Sequence, residues 1–532
     1  MRAEAPDSSS RRIARSTAVF SAATGLSRVL GLAREIVVRG LFGVEGAGIN
    51  AFTVAFQIPN LVRALVADAA LSSAFVPVFT ELLEKGERAR AWRVASSLIW
   101  ILLLGLTAVT AIFVLAAPWV MSIFGYGGED GELAVTLARI LFPIVVLLGI
   151  SGVIVGILNS YEHFTIPALT PVFWNLAIIA GLLIGVPRAG SEESELYVYA
   201  ASIVVGTVMQ LLLPLPWLAG RDGRLRVAVD WRDPAIKRVF VLMLPVTLGL
   251  GLINVNAVIG TFFAARYIDP TISPSAIDAA FRIYMLPQGM FSVAVATVLF
   301  PALARLATRG DQEGFRHTVG LGLRQISFLL IPASVVSAVL AEPIVRLLYE
   351  RGEFGPRETR VVAAALAAFS LGLVFNGAML MLNRAFFSLQ APWLPTWVAL
   401  GNLALNTALF AVLYRVGTWG IPLAISLANI AGSAALLLLL RRRFGRFEVR
   451  ETVRSALLII AASVVLGAVS FGVWWALDEA LGRSFGGQLV AVSVAVAAGG
   501  AAYLFSARLL GIRELEALLS LRSRPRPPSS SR

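Results

Sequence analysis

Apolar runs of roughly 20 residues recur from one end of this chain to the other, each long enough to cross a hydrocarbon core of about 30 Å as an α-helix. That recurrence leaves little choice of fold. A segment in lipid has to satisfy its own backbone polar groups, and runs of this length do so as helices. The composition agrees: of 532 residues, 58% are hydrophobic and 14% charged, with a mean hydropathy of +0.80, whereas soluble domains carry about a quarter charged residues. No stretch between the runs leaves room for a soluble domain of useful size. The formal charge of +13 would suit nucleic acid, but Lys and Arg beside apolar spans follow from the charge bias of cytoplasmic loops, and no nucleic-acid partner is expected. The chain has no Cys, which excludes disulfides and thiolate chemistry, and only His163 and His317 could supply imidazole.

The runs predict an all-α polytopic protein of about fourteen transmembrane helices, the first beginning near Ile13 and the last near Gly487. Short loops rich in Gly, Pro and charge separate them, such as GYGGED at 125–130 and PRAGSEESE at 187–195. Alternate loops differ in charge: about 30 Lys and Arg fall on one side and about 9 on the other, which orients the basic side inward. An even helix count then places both termini in the cytoplasm, with the chain a multi-pass protein of a bacterial inner membrane. Arg11, Arg12 and Arg15 precede an apolar stretch in the manner of a signal peptide, but Arg28 and Arg34 interrupt it, so an uncleaved first helix is expected. The tail RSRPRPPSSSR reads as a disordered cytoplasmic end.

The sequence also repeats itself. Pro77, Gly86 and Asn159 correspond to Pro301, Gly310 and Asn383, all at an offset of 224 residues. One further residue of shift aligns Ala55 to Ile58 with Ala280 to Ile283, so the second helix of one unit matches the eighth of the chain. Units of six helices are the result, and an even number of crossings makes them parallel repeats with a central cavity expected near mid-bilayer. The expected organisation is a cytoplasmic segment 1–12, a first lobe 13–220, a second lobe 221–446, two further helices at 447–512 and a tail at 513–532.

Six basic residues remain inside spans: Arg28, Arg34, Arg63, Arg139, Arg282 and Arg324. An arginine at mid-bilayer costs from about 2.5 to more than 10 kcal/mol, so it has to face water, a carboxylate or the interface. At 1.5 Å per residue, Arg34 and Arg282 fall roughly 10 Å below the outer face, and Arg28 and Arg63 about 20 Å down. Arg28 and Arg34 lie about 120° apart around one helix and can border the same wide chamber. Acidic neighbours are few: Glu35 adjoins Arg34, Asp68 follows Arg63 by five, and Asp278 precedes Arg282 by four, the one pair at ideal helical spacing. A net-positive chamber suits a phosphate-bearing guest, because guanidinium groups bind phosphate through forked hydrogen bonds. Arg139 and Arg324 are read as structural, snorkelling or bridging helices. Pro59, beside Asn60 in the second helix, removes a backbone hydrogen bond and bends the helix near Arg63, as a hinge or as a static shape. The glycines of residues 249–260 are read chiefly as packing positions in the seventh helix.

At SRVLGLARE (27–35) and AFQIPNLVRALVADAALSSAFVPVF (55–79), the sequence resembles the MurJ/MviN family of lipid II flippases. The resemblance continues through GILNSYEHFTIPALTPVFWN (156–175) and FRIYMLPQGMFSVAVATVLFPALA (281–304), and more loosely beyond. It implies a fold of the MOP exporter superfamily, with two six-helix lobes and two extra helices forming a lipid-tail groove. It further implies lipid II, the undecaprenyl-pyrophosphate-linked peptidoglycan precursor, as the substrate flipped between leaflets. The family's arginines map onto Arg28, Arg34, Arg63 and Arg282 as substrate-binding residues, and its acidic residue after the second-helix arginine onto Asp68; Glu35, Pro59 and Asn60 are read beside them as supporting residues. Three positions depart from the family pattern: Asn50 replaces a frequent aspartate, Phe281 a common acidic residue, and Gln57 a lysine of some members.

Some relatives bind sodium among acidic and amide groups. Here the seventh helix offers only Asn254 and Asn256 and the eleventh Asn402 and Asn406. Amides alone make a weak hard-cation site, so neither a cofactor, a metal nor sodium coupling is expected; the membrane potential, worth about 2.3 kcal/mol per charge per 100 mV, is the expected influence. Expected partners are lipid II, membrane lipids and cell-wall synthesis or division proteins. The alternative reading is a flippase for another polyprenyl-linked glycan. A cation antiporter would display cavity carboxylates instead, and a membrane glycosyltransferase would need carboxylates placed for acid–base or metal work.

Overall fold

Backbone groups in lipid must pair within their own segment, and the computed structural model, which describes residues 8–66, 69–127, 129–391, 393–445 and 449–515, is helical in every regular element. Asp68, residues 1–7 and the tail from residue 516 lie outside the described residues. Among the described residues, eleven helical segments are long and apolar enough to cross a membrane, or twelve if the bent pair Pro356–Ser370 and Leu373–Ser388 is one span. The fourteen expected from the sequence are not reached on apolar length alone. The first helix falls outside that count, because Arg28, Arg34, Glu35 and Arg39 lie close together in it.

The chain forms two compact units, one reaching to Ser275 and including Arg351–Phe354, the other comprising Ala276–Glu350 and the chain from Gly355 onward. In the first are α1 (Ser8–Phe42), α2 (Ala47–Val66), α3 (Ala69–Glu84), α4 (Arg88–Ile123), α5 (Glu129–Leu141), α6 (Ile144–Ser160), α7 (Thr165–Ala180), α8 (Glu192–Leu212) and α9 (Pro234–Phe263). α1 packs on α7, α2 on α5 and α9, and α3 on α6 and α9. The core is aromatic: Tyr199 stacks on Phe52 at 4.2 Å and on Phe42 at 5.8 Å, and Phe113 on Phe142 at 3.8 Å.

α9, the seventh helix of the sequence reading, stays with the first unit, so the compact units divide within the next helix rather than before α9. Thr247 donates to the Leu65 carbonyl at 2.8 Å, and a Cβ added at Gly251 would meet Leu65 at 2.5 Å, so this glycine serves close packing. The internal repeat, a correspondence of sequence, is a separate division.

The segment leading into α9 is strapped to α4. The amides of Arg226 and Asp230 donate to the hydroxyls of Ser96 and Ser97 at 3.1 and 3.2 Å. Arg90 grips Asp233 through both carboxylate oxygens at 2.9 and 3.1 Å, while Asp233 caps α9 by accepting from the Ala235 amide at 2.8 Å. Those Arg90 hydrogen bonds hold the Asp233 carboxyl below the ordinary carboxylate range.

The second unit holds most of α10 (Ser273–Pro287), then α11 (Val293–Arg309), α12 (Gln312–Val339), α13 (Ala341–Tyr349), α14 (Pro356–Ser370), α15 (Leu373–Ser388), α16 (Trp393–Leu413), α17 (Gly420–Phe444), α18 (Val449–Leu481) and α19 (Phe485–Leu509). The 44° bend between α14 and α15 has a visible cause: Ser426 of α17 inserts there, donating to the Ala368 carbonyl at 2.7 Å and the Phe369 carbonyl at 3.2 Å. α18 and α19 pack on each other, with α18 also on α12. Two buried arginines fasten the pair to the unit. Arg324 lies 3.4 Å from Glu514 and 3.8 Å from Glu451, and Arg346 reaches Glu342 at 2.7 Å, Glu350 at 3.5 Å and Asp478 at 3.8 Å.

Candidate functional site

Each intramembrane arginine has a different environment, set by the helix that carries it. Arg28 on α1 is exposed and pairs with no described residue. Six positions on, Arg34 is only 8% exposed. Its Nη2 donates to Glu35 at 2.6 Å and its Nη1 to the Asn175 side-chain oxygen at 3.2 Å, while its guanidinium carbon lies 4.8 Å from the Trp174 ring centroid. A third arginine closes this group: Arg39, 2% exposed, approaches the other oxygen of Glu35 at 3.8 Å. From residue 28 to 39, three arginines accompany one carboxylate. Burial without a counter-charge would cost several kcal/mol per ion, and the adjacent carboxylate, the amide and the aromatic face offset that cost for Arg34 while the segment stays net positive.

Arg63 on α2 is half-buried and held by its own helix. Its Nε and Nη2 both donate to Asn60 at 3.1 and 2.9 Å, one turn back. Pro59 is buried, and α2 runs helical through it. In the second unit, Arg282 on α10 pairs with Asp278 at 2.9 Å, the i, i+4 contact expected from its spacing. At Phe281, where the family pattern has an acidic residue, an aromatic cluster stands instead: Phe281, Tyr284 and Phe369 have ring centroids 5.2 to 5.8 Å apart. The counter-charge for Arg282 comes from one turn earlier.

Asn50, the other departure from an acidic pattern, is fully buried. Its Nδ2 donates to the carbonyls of Val44, Gly46 and Thr271 at 2.8, 2.8 and 2.5 Å, and its Oδ1 accepts from the Ser275 amide at 2.9 Å. A carboxylate accepts only, so an aspartate could not make the first three bonds. This amide ties the turn after α1 to the start of α10 and is structural. Of the two arginines read as structural, Arg139 donates to the Val114 carbonyl at 3.1 Å, and Arg324 pairs with the carboxylates of Glu451 and Glu514.

Trp174 and Asn175 were not singled out by sequence reasoning. The signal available was a lone amide in the apolar helix TIPALTPVFWNLAIIA, since a polar group inside a span needs a partner. Nothing local identified that partner as Arg34, 141 residues away.

Comparison with known proteins gives a consistent picture. The family described as lipid II flippase MurJ matches residues 39–494. A Vibrio cholerae protein described as a probable lipid II flippase MurJ is 33% identical over 528 residues, covering 95% of this chain and 97% of that protein. The lipid II flippase MurJ of Burkholderia cenocepacia is 31% identical over 440 residues, covering 81% and 84%. Among solved structures, a lipid II flippase MurJ in an inward closed conformation superposes with a TM-score of 0.76 at 24% identity, covering 93% of this chain and 99% of that one. An inward-facing multidrug resistance MATE transporter of the MOP superfamily superposes with a TM-score of 0.68 at 18% identity, covering 79% and 95%. These two likenesses concern the fold.

Proposed function

Because this chain belongs to the lipid II flippase MurJ family, we propose that it is a transporter, not an enzyme, and that it moves lipid II from the cytoplasmic to the outer leaflet of the bacterial inner membrane. The pyrophosphate engages Arg28, Arg34, Arg63 and Arg282, and the polar headgroup crosses by alternating access while the polyprenyl tail stays in lipid. The observation that carries the reading is the charge of α1: three arginines with one carboxylate inside a membrane helix, Arg28 exposed and pairing with no described residue. Such a segment has to border water, the interface or an anion. Phosphate oxygens supply the forked acceptors that guanidinium groups fit.

The Arg-rich loops face the cytoplasm in this reading, with both termini inside. The membrane potential acts on the charge that moves, and sodium has no part in the proposal. The test is complementation of a strain depleted of its own flippase. Arg28→Ala, Arg63→Ala and Arg282→Ala should each abolish growth while the protein inserts at normal levels. Normal growth with correctly inserted variants would overturn the assignment.

A further inference from the structure

We propose that Asn175 and Trp174 are positioning residues for Arg34, aiming its guanidinium at the anionic headgroup; the inference rests on the preceding reading of the arginines. A side-chain amide has a donor end and an acceptor end, and in Asn175 their directions are fixed. Nδ2 donates to the Pro171 carbonyl at 2.8 Å on its own helix and to the Ser27 carbonyl at 3.4 Å on α1. With the donor end held by two carbonyls, Oδ1 faces Arg34 and accepts from Nη1 at 3.2 Å.

The neighbouring Trp174 is fixed from the other side. Its indole N–H donates to the Thr207 hydroxyl on α8 at 3.2 Å, and Thr207 donates in turn to the Ile203 carbonyl at 2.7 Å. A Cβ added at Gly206 would stand 3.1 Å from both the Trp174 ring and its carbonyl, so α8 presses close against this residue. The ring face therefore meets the guanidinium in one orientation, the arrangement that favours a cation over an aromatic face.

Arg34 is thus bounded by a carboxylate, an amide oxygen and an indole face, and its buried Nε–H is the one guanidinium nitrogen without a hydrogen bond. The amide matters because it is neutral. It orients the cation without cancelling its charge, whereas a second carboxylate beside Glu35 would neutralise the group that has to attract an anion.

This gives a charge-relocation test with purified full-length protein in nanodiscs and labelled lipid II as the probe. Asn175→Asp keeps the outline, adds a charge and gives up the two N–H donations to Pro171 and Ser27, and should weaken binding about tenfold or more. Adding Glu35→Gln restores the net charge of the cradle but not those donors, and should recover part of the affinity, about threefold or more over Asn175→Asp alone. A packing role for Asn175 would not respond to a neutralisation on another helix. Trp174→Leu should weaken binding about three- to tenfold, whereas Trp174→Phe, which keeps a ring face, should stay near wild type.

Wild-type affinity in Asn175→Asp, or no recovery at all on adding Glu35→Gln, overturns the inference. Should Asn175→Asp fail to insert, the Trp174 pair decides: equal binding by the Leu and Phe variants overturns it. Arg34→Ala separates this inference from the reading beneath it. If Arg34→Ala binds as wild type, the substrate role of Arg34 itself fails; if it loses binding while Asn175→Asp does not, only the positioning role fails.

Discussion

Arg34 in the first unit and Arg282 in the second meet the same difficulty, a guanidinium in a membrane helix, in opposite ways. Arg34 is buried at 8% exposure against Glu35, Asn175 and Trp174, side chains drawn from two helices. Arg282 has a side chain 35% exposed, and its ion pair is with a carboxylate on its own helix. The first is held by side chains on two helices, and the second carries a contact that local helix geometry sets. In the proposed function, the first unit therefore presents charge from a rigid cradle, whereas the second presents it on a side chain with more room to follow a moving headgroup.

The contrast can be broken at its strongest point first. Glu35→Ala removes the carboxylate shared by two buried arginines and should destabilise the protein by about 3–5 kcal/mol, since it leaves buried charge uncompensated. Thermal unfolding in detergent would read this as a large drop in midpoint. A midpoint unchanged from wild type would mean that Arg34 and Arg39 reach water in solution.

Asn50→Asp tests whether the turn following α1 depends on an amide. It should cost about 1–3 kcal/mol, because three carbonyls lose their donor in a fully buried place. If the aspartate is tolerated, the position retains the carboxylate role that the family pattern suggests. The smallest effect belongs to the second unit: Asp278→Ala breaks a partly exposed i, i+4 pair and should cost about 1 kcal/mol or less. A loss as large as that of Glu35→Ala would erase the distinction between the two regions.

Much of this was legible in the sequence, and the reason lies in the range of the interactions. The helical class follows from the apolar runs, and the Arg282 pair follows from a spacing of four, because helix geometry converts short separations into contacts. The adjacent Glu35 is seen as readily. What escaped were contacts made only when helices dock. Asn175 meets Arg34 across 141 residues, and Asn50 meets Thr271 across 221. The placement of α9 with the first unit was hidden for the same reason, because it depends on Gly251 and Thr247 meeting Leu65. Asn50 shows the limit from the other side: a departure from the family pattern is, once folded, an amide whose donors no carboxylate could supply.

The central claim is that the intramembrane arginines carry a pyrophosphate lipid across the bilayer, and leaflet transfer measures it most directly. Proteoliposomes holding the purified protein and headgroup-labelled lipid II in one leaflet would be followed as the label becomes accessible from the other. The account predicts that wild-type protein moves the label without changing it chemically, and that Arg28→Ala and Arg282→Ala leave it in place. Label that stays in its leaflet with wild-type protein, or crosses at the wild-type rate with both arginines replaced, would contradict it.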